Sequence, residues 1–169
     1  MELIPEIATR RSIRSYADTA VGDETVRRIL EAGRRAPSAK NRQAWRFIAI
    51  RDPETRKKLE AASFGQEWVS AAPLIIAVCT TNVDYRMPNG QLSYPVDLGI
   101  AGGFMMVQAE HEGLGTCPIT TFQEQDVKFL LSVPYQMRVV MLILAGYPSE
   151  SPELSDRLSL ERITGWNHW

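Results

Sequence analysis

The stretch RRSIRSYADTAVGDETVRRILEAGRRAPSAKNRQAWRFIAIRD, residues 10–52, sets out a basic turn, a helix, a polar loop and a strand in close succession. Arg10, Arg11 and Arg14 fall within its first five positions, with Ser12 between them. Such a cluster suits a nucleic-acid arm, a solvated charge run or the seat of one small anion. Guanidinium groups hold phosphate oxygens in pairs, and a helix start adds backbone N–H donors. From this segment alone, the anion seat and the solvated turn stand level. The next segment, GDETVRRILEAGRRAP, starts with a capping candidate, Asp23, and puts Val26, Ile29, Leu30, Gly33 and Ala36 on one helical face. Pro37, Ser38 and Asn41 then suit a tight loop with side-chain hydrogen bonds, and Trp45 and Phe47 open a strand.

Working outward, helical and extended patterns alternate to the end of the chain. Pro53 opens a polar helix, PETRKKLEAAS, and APLIIAVCTT is an unbroken apolar run of the kind expected for a strand covered on both faces. A loop rich in Asn, Pro and Gly follows, over roughly residues 82–95. VDLGIAGGFMMVQAEHEG is apolar nearly all round, which predicts a central buried helix ending at Gly113, with Gly99, Gly102 and Gly103 permitting close backbone contact. LGTCPIT predicts a short strand, EQDVKFLLSV a helix, RVVMLILAGYP a second buried strand, and the tail a short helix from about Ser159. The pattern is α+β: one sheet wrapped by helices, in a single domain over residues 1–169.

Composition narrows the function. With 169 residues, 44% hydrophobic and 23% charged, the chain is long enough for a sizeable core. The longest strongly apolar run, Leu98 to Val107, is ten residues, about half of the ~20 a spanning helix needs, so no membrane role is expected. The N-terminus lacks a secretory pattern, and Cys79 and Cys117 each lie in an apolar segment, which fits buried thiols in a reducing cytoplasm. The net charge of −1 hides an asymmetry: ten basic and four acidic residues lie between Arg10 and Arg46, against nine and sixteen elsewhere. A chain that is basic only locally fits a small anion at least as well as a duplex. Nucleic-acid binders interleave exposed aromatics with their basic residues, whereas Trp45 and Phe47 belong to a strand pattern.

Catalytic hardware of the usual kinds is scarce. His111 and His168 have no metal-ligand spacing, and neither a GxSxG elbow nor a GxxxxGK loop occurs. GIAGG lies inside a helical pattern rather than at a strand-to-helix turn, so it reads as packing. An enzyme without its own nucleophile or metal borrows its reactive group from an organic cofactor.

The whole stretch 10–52 resembles the N-terminal signature of the nitroreductase family of FMN-dependent oxidoreductases: an R-x-S-x-R/K segment, an amphipathic helix, then a P-S-x-x-N-x-Q-P-W loop. AAPLIIAVC, the central helix with Asp97, GLGTCPI, LAGYP and DRLSLERI extend the likeness over nearly the whole chain. The resemblance implies a central, mainly antiparallel sheet wrapped by helices and an intertwined homodimer with FMN sites at the subunit interface. It implies NAD(P)H as electron donor and a small electrophilic acceptor, such as a nitroaromatic or a quinone, in a ping-pong cycle. By the same resemblance Arg10, Arg11 and Ser12 meet the ribityl phosphate, Arg157 approaches it from the C-terminal side, and Arg14 points at the flavin pyrimidine edge. Pro37, Ser38, Ala39 and Asn41 reach the flavin of the other subunit, while Pro118, Ile119, Thr120 and Thr121 line the ring near N5 and O4. No side chain is named as acid or nucleophile, because flavin N5 carries the chemistry.

Three departures from the family pattern stand out. Ala44 replaces the proline of Q-P-W, Thr120-Thr121 stand where relatives have an acid or glycine followed by glycine, and Ser155 stands where some carry a second phosphate-binding lysine. Within the same fold, dehalogenation, flavin destruction and dehydrogenation are also known. A flavin-sequestering protein without enzymatic activity is the alternative from another class.

Overall fold

A computed structural model of the chain describes residues 3–169. Its frame is a four-stranded antiparallel sheet in the order β1 (Trp45–Ile50), β2 (Leu74–Thr80), β4 (Arg138–Gly146), β3 (Gly115–Ile119). The expected α+β architecture is therefore present, with β1 and β3 as the two edges.

Every residue of β2 is buried, and alternation explains why its sequence shows none. Leu74, Ile76 and Val78 enter the core on one face, with Ile143 and Ala145 of β4. Ile75, Ala77 and Cys79 enter the other, with Leu142 and Leu144. A strand with helices on both faces has no side left to be polar. The first face is covered by α2 (Asp23–Arg34) and α5 (Ser93–His111), the second by α3 (Pro53–Ala62), α4 (Glu67–Ala71) and α6 (Glu124–Leu130). Two short helices complete the set, α1 (Pro5–Thr9) and α7 (Leu160–Ile163). Neither α1 nor α4 is anticipated by sequence pattern, because five residues are too few to show a period.

Several expectations shift in detail. Gly22, not Asp23, is the N-cap of α2; Asp23 is the first helical residue, and its carboxylate pairs with Arg51 Nη1 at 2.5 Å. In α3, by contrast, Asp52 caps by accepting the Thr55 N–H at 2.7 Å, with Pro53 in the first turn. The largest difference concerns α5, which is only half covered. Leu98, Ala101, Met105 and Ala109 are buried, while Val96, Ile100 and Phe104 are 44%, 36% and 45% exposed. Of its glycines, Gly102 packs on Met141, where an added Cβ would lie 2.9 Å from Sδ, but Gly99 and Gly103 face open space. Beyond Glu150 the chain is almost wholly exposed, including Leu154, Leu158, Ile163, Trp166 and Trp169. No helix among the described residues is long and apolar enough to cross a membrane.

Candidate functional site

Edge strand β3 gathers the basic segment. Ser12 and Thr116 form an isolated parallel bridge, and the Ile13 N–H donates to the Thr116 carbonyl at 3.0 Å. Ile13 is buried, and its Cβ would stand 2.7 Å from a Cβ placed on Gly115. Glycine at that position is what lets the segment lie so close to the sheet. An extended chain sends successive side chains to opposite sides, and the arginines divide accordingly. Arg14, Ser12 and Arg10 bear on the buried Cys117 thiol: burial pushes its pKa up, and these three partly offset that. Thr9, Arg11 and Ile13 instead line a separate small pocket with Glu110, Gly115 and Glu150.

Arg11 meets protein carbonyls on that side. Its Nε donates to the Thr9 carbonyl at 3.2 Å, and its Nη1 to the carbonyl of Pro152, where the exposed tail begins. Arg10 is different. Its Nη1 is buried without a hydrogen-bond partner among the described residues. A buried, charged donor left unpaired is costly, and an anion is the partner that best suits a guanidinium.

Two elements without a sequence signal complete this side of the site. Glu150 Oε1 accepts the Arg14 N–H at 2.5 Å and the Ser15 N–H at 3.0 Å, and the Ser15 and Ser149 hydroxyls lie 2.6 Å apart. The Tyr16 hydroxyl donates to the Ile13 carbonyl at 2.5 Å, and burial pushes its pKa well above the usual tyrosine value. From the α3–α4 turn, where Phe64 and Gly65 have φ of 58° and 72°, Gln66 Nε2 reaches the Thr121 carbonyl at 3.1 Å. The guanidinium of Arg14 lies 5.9 Å from the ring centroid of Trp68 on α4. Pro118 and Ile119 end β3 and Thr120 and Thr121 follow it, so these residues and the basic segment share one sheet edge. Pro118, Thr120 and Thr121 are exposed there and Ile119 is buried.

The loop of Pro37, Ser38, Ala39 and Asn41 is somewhere else. It leads into β1, the opposite edge, three strand spacings or about 14 Å from β3. Its backbone is unusual: Lys40, Asn41 and Gln43 have φ of 53°, 52° and 49°, a region sparsely used by residues other than glycine. Such conformations persist where surroundings impose them. Here the buried Asp97 carboxylate of α5 accepts the Ala39 N–H at 2.9 Å, and Ser38 Oγ accepts the Gln43 N–H at 3.0 Å. Arg42 also lies 4.1 Å over the Tyr85 ring. Arg157 lies on the exposed tail, its Nη1 on the Ser155 and Asp156 carbonyls at 3.1 Å.

Known proteins resemble this chain in sequence and fold. The sequence model of the Nitroreductase family matches residues 7–89 and 62–147. A putative NADH dehydrogenase/NAD(P)H nitroreductase of Archaeoglobus fulgidus is 33% identical, over 96% of each chain. An FMN reductase [NAD(P)H] of Bacillus subtilis is 32% identical, over 96% of this chain and 72% of its own length. The structure of an NADPH:FMN oxidoreductase from Vibrio harveyi, complexed with NAD+, superposes with a TM-score of 0.89 at 26% identity, covering 98% of this chain and 74% of that one. The two matches of the family model together span residues 7–147, and the chain belongs to the nitroreductase family.

Proposed function

We propose that the protein is an FMN-dependent oxidoreductase that uses NAD(P)H to reduce an electrophilic small molecule, a nitroaromatic, a quinone or a similar acceptor, by a ping-pong mechanism. The observation that carries this reading is the Nη1 of Arg10, buried and without a partner among the described residues, beside Ser12 on the edge of β3. A phosphate monoester supplies the acceptor oxygens this donor lacks. The relatives named for FMN reduction and NAD(P)H nitroreduction support the same cofactor and donor.

In this reading Arg10 and Ser12 hold the phosphate, and Pro118, Ile119, Thr120 and Thr121 line the ring. Bound there, FMN supplies two-electron redox chemistry between the nicotinamide and the acceptor. Arg14 holds a positive charge at the pyrimidine edge, which favours negative charge on the ring. Arg11 anchors the start of the tail at Pro152 rather than touching the phosphate. Thr120 and Thr121 offer backbone N–H groups, with bulk and hydroxyls that shape the access of an acceptor.

A second copy completes the site. Pro37, Ser38, Ala39 and Asn41 come from that copy, which accounts for their position on the opposite edge of the sheet. Arg157 arrives on the tail. The exposed stripe of Val96, Ile100 and Phe104 on α5, with Gly99 and Gly103 open beside it, fits a close helix contact between copies. The unit is one domain over residues 1–169, and its two free, buried cysteines fit the cytoplasm.

The purified protein should be yellow, release FMN on denaturation, and lose its colour on anaerobic addition of NADH or NADPH. Colourless protein that also fails to take up added FMN would overturn the cofactor assignment. Bound flavin that neither nicotinamide reduces would overturn the oxidoreductase reading in favour of flavin storage.

A further inference from the structure

Arg14 has an unusual setting for the residue assigned to the flavin's pyrimidine edge. It is exposed, and its side chain makes no hydrogen bond or ion pair among the described residues. Its backbone is fixed, since Glu150 accepts both its own N–H and that of Ser15. Its side chain also bears on the buried Cys117 thiol, but the ring it faces is that of Trp68, 5.9 Å from the guanidinium carbon. A guanidinium over an aromatic face is attracted by the ring quadrupole within about 6 Å of the centroid, most strongly for tryptophan. The platform itself is rigid. Trp68 is half-buried and packs on the core cluster of Ile50, Leu59 and Val69, on a short helix whose neighbouring residue Val69 is wholly buried.

An arginine side chain has four rotatable bonds, and free in solvent it would spread its charge over many positions. Any influence on a bound ring depends on where the charge resides, because the interaction falls off with distance. Fixing the backbone alone leaves that question open. The ring is what confines the charged end while leaving all five guanidinium N–H donors free for a ligand.

We infer that Trp68 is a positioning residue for Arg14: its ring face holds the guanidinium in place so that the cation can set the redox potential of the bound flavin. The inference deepens the FMN reading above and rests on it. Trp68 acts through Arg14 and does not take part in the reaction itself.

The test separates the aromatic face from mere bulk. Wild type, Arg14→Ala, Trp68→Phe, Trp68→Leu and the double variant Arg14→Ala/Trp68→Leu are compared by spectroelectrochemical titration at saturating FMN, with flavin dissociation constants measured alongside. Arg14→Ala should lower the midpoint potential. Trp68→Leu, which fills the space without a π face, should give most of that shift in the same direction. Trp68→Phe should stay close to wild type, and the double variant should fall no further than Arg14→Ala alone. A Trp68→Leu protein at the wild-type potential overturns the inference, as does a double variant whose shift is the sum of the two singles. A Trp68→Phe protein that shifts as far as the leucine variant overturns it as well. If leucine prevents folding, Trp68→Met, another flexible filler without a ring, carries the same expectation. Failure of the FMN reading looks different, because then the wild type itself binds no flavin and both readings fall together.

Discussion

Arg10 and Arg11 are neighbours in sequence with identical side chains, yet the structure gives them opposite surroundings. Arg10 has a buried donor with no partner among the described residues, while Arg11 donates to the carbonyls of Thr9 and Pro152. Arg10→Ala should therefore weaken FMN binding by the worth of a charged hydrogen bond, ~1.5–3 kcal/mol, or roughly ten- to over a hundredfold in affinity. Arg11→Ala should leave FMN affinity within a few-fold of wild type and instead loosen the start of the tail, seen as faster proteolysis beyond Pro152. Fluorescence titration of FMN into both apoproteins decides the matter, and equal losses in the two variants would refute the division. The sequence could nominate a cluster of arginines here. It could not say which way each one faces, because an extended chain beside a strand alternates and the register is set by the Ser12–Thr116 bridge.

At the level of elements, the seat depends on how closely the basic segment approaches β3, and Gly115 sets that distance. A methyl group there would collide with Ile13, whose Cβ lies 2.7 Å from the added atom and which is itself buried. Because Ile13 is β-branched and enclosed, it cannot swing aside cheaply. Gly115→Ala should destabilise the fold by about 1–3 kcal/mol, the usual cost of overpacking, and should weaken FMN binding by displacing Ser12 and Arg10 from the sheet edge. Urea unfolding and FMN titration of the same variant measure the two effects. An alanine variant with unchanged stability and affinity would show that the segment can move freely, and the account of the seat would fail. Long elements such as α2, β2 and β4 are legible in the sequence because their apolar spacing runs for several turns or residues. Short α4, which brings Trp68 to Arg14, is not, since five residues show no period and its place follows from packing.

Taken as a whole, the molecule leaves without cover an apolar stripe on α5 and a tail whose leucines, Ile163, Trp166 and Trp169 are exposed. Large exposed apolar patches mark interaction surfaces in soluble proteins. Ile100→Glu places a charge on that stripe, next to the open Gly99 and Gly103, without entering this chain's own core. It should convert a dimer into a monomer, with flavin affinity falling in parallel, because half of each proposed site comes from the other copy. Analytical ultracentrifugation of the FMN-loaded variant provides the check. An Ile100→Glu protein that sediments as the wild type does, or a wild type that is monomeric with flavin bound, would rule out this assembly.

The sequence by itself determined the α+β class, the position of every long helix and strand, the two buried thiols and the family to which the chain belongs. Those follow from local pattern and from motif order, both of which are written along one dimension. Its apolar central helix predicts a buried element, and only the tertiary structure shows which face the chain itself covers. Burial is a property of neighbours, and the described residues leave the Val96, Ile100 and Phe104 face of α5 partly open. The tertiary structure alone decided that Arg10 and Arg11 part company, that the Arg14 N–H meets Glu150 while its guanidinium lies over Trp68, and that the Pro37–Asn41 loop lies on the sheet edge opposite the basic segment. Each of these depends on residues distant in sequence being brought together by the strand order β1-β2-β4-β3, which no local pattern encodes.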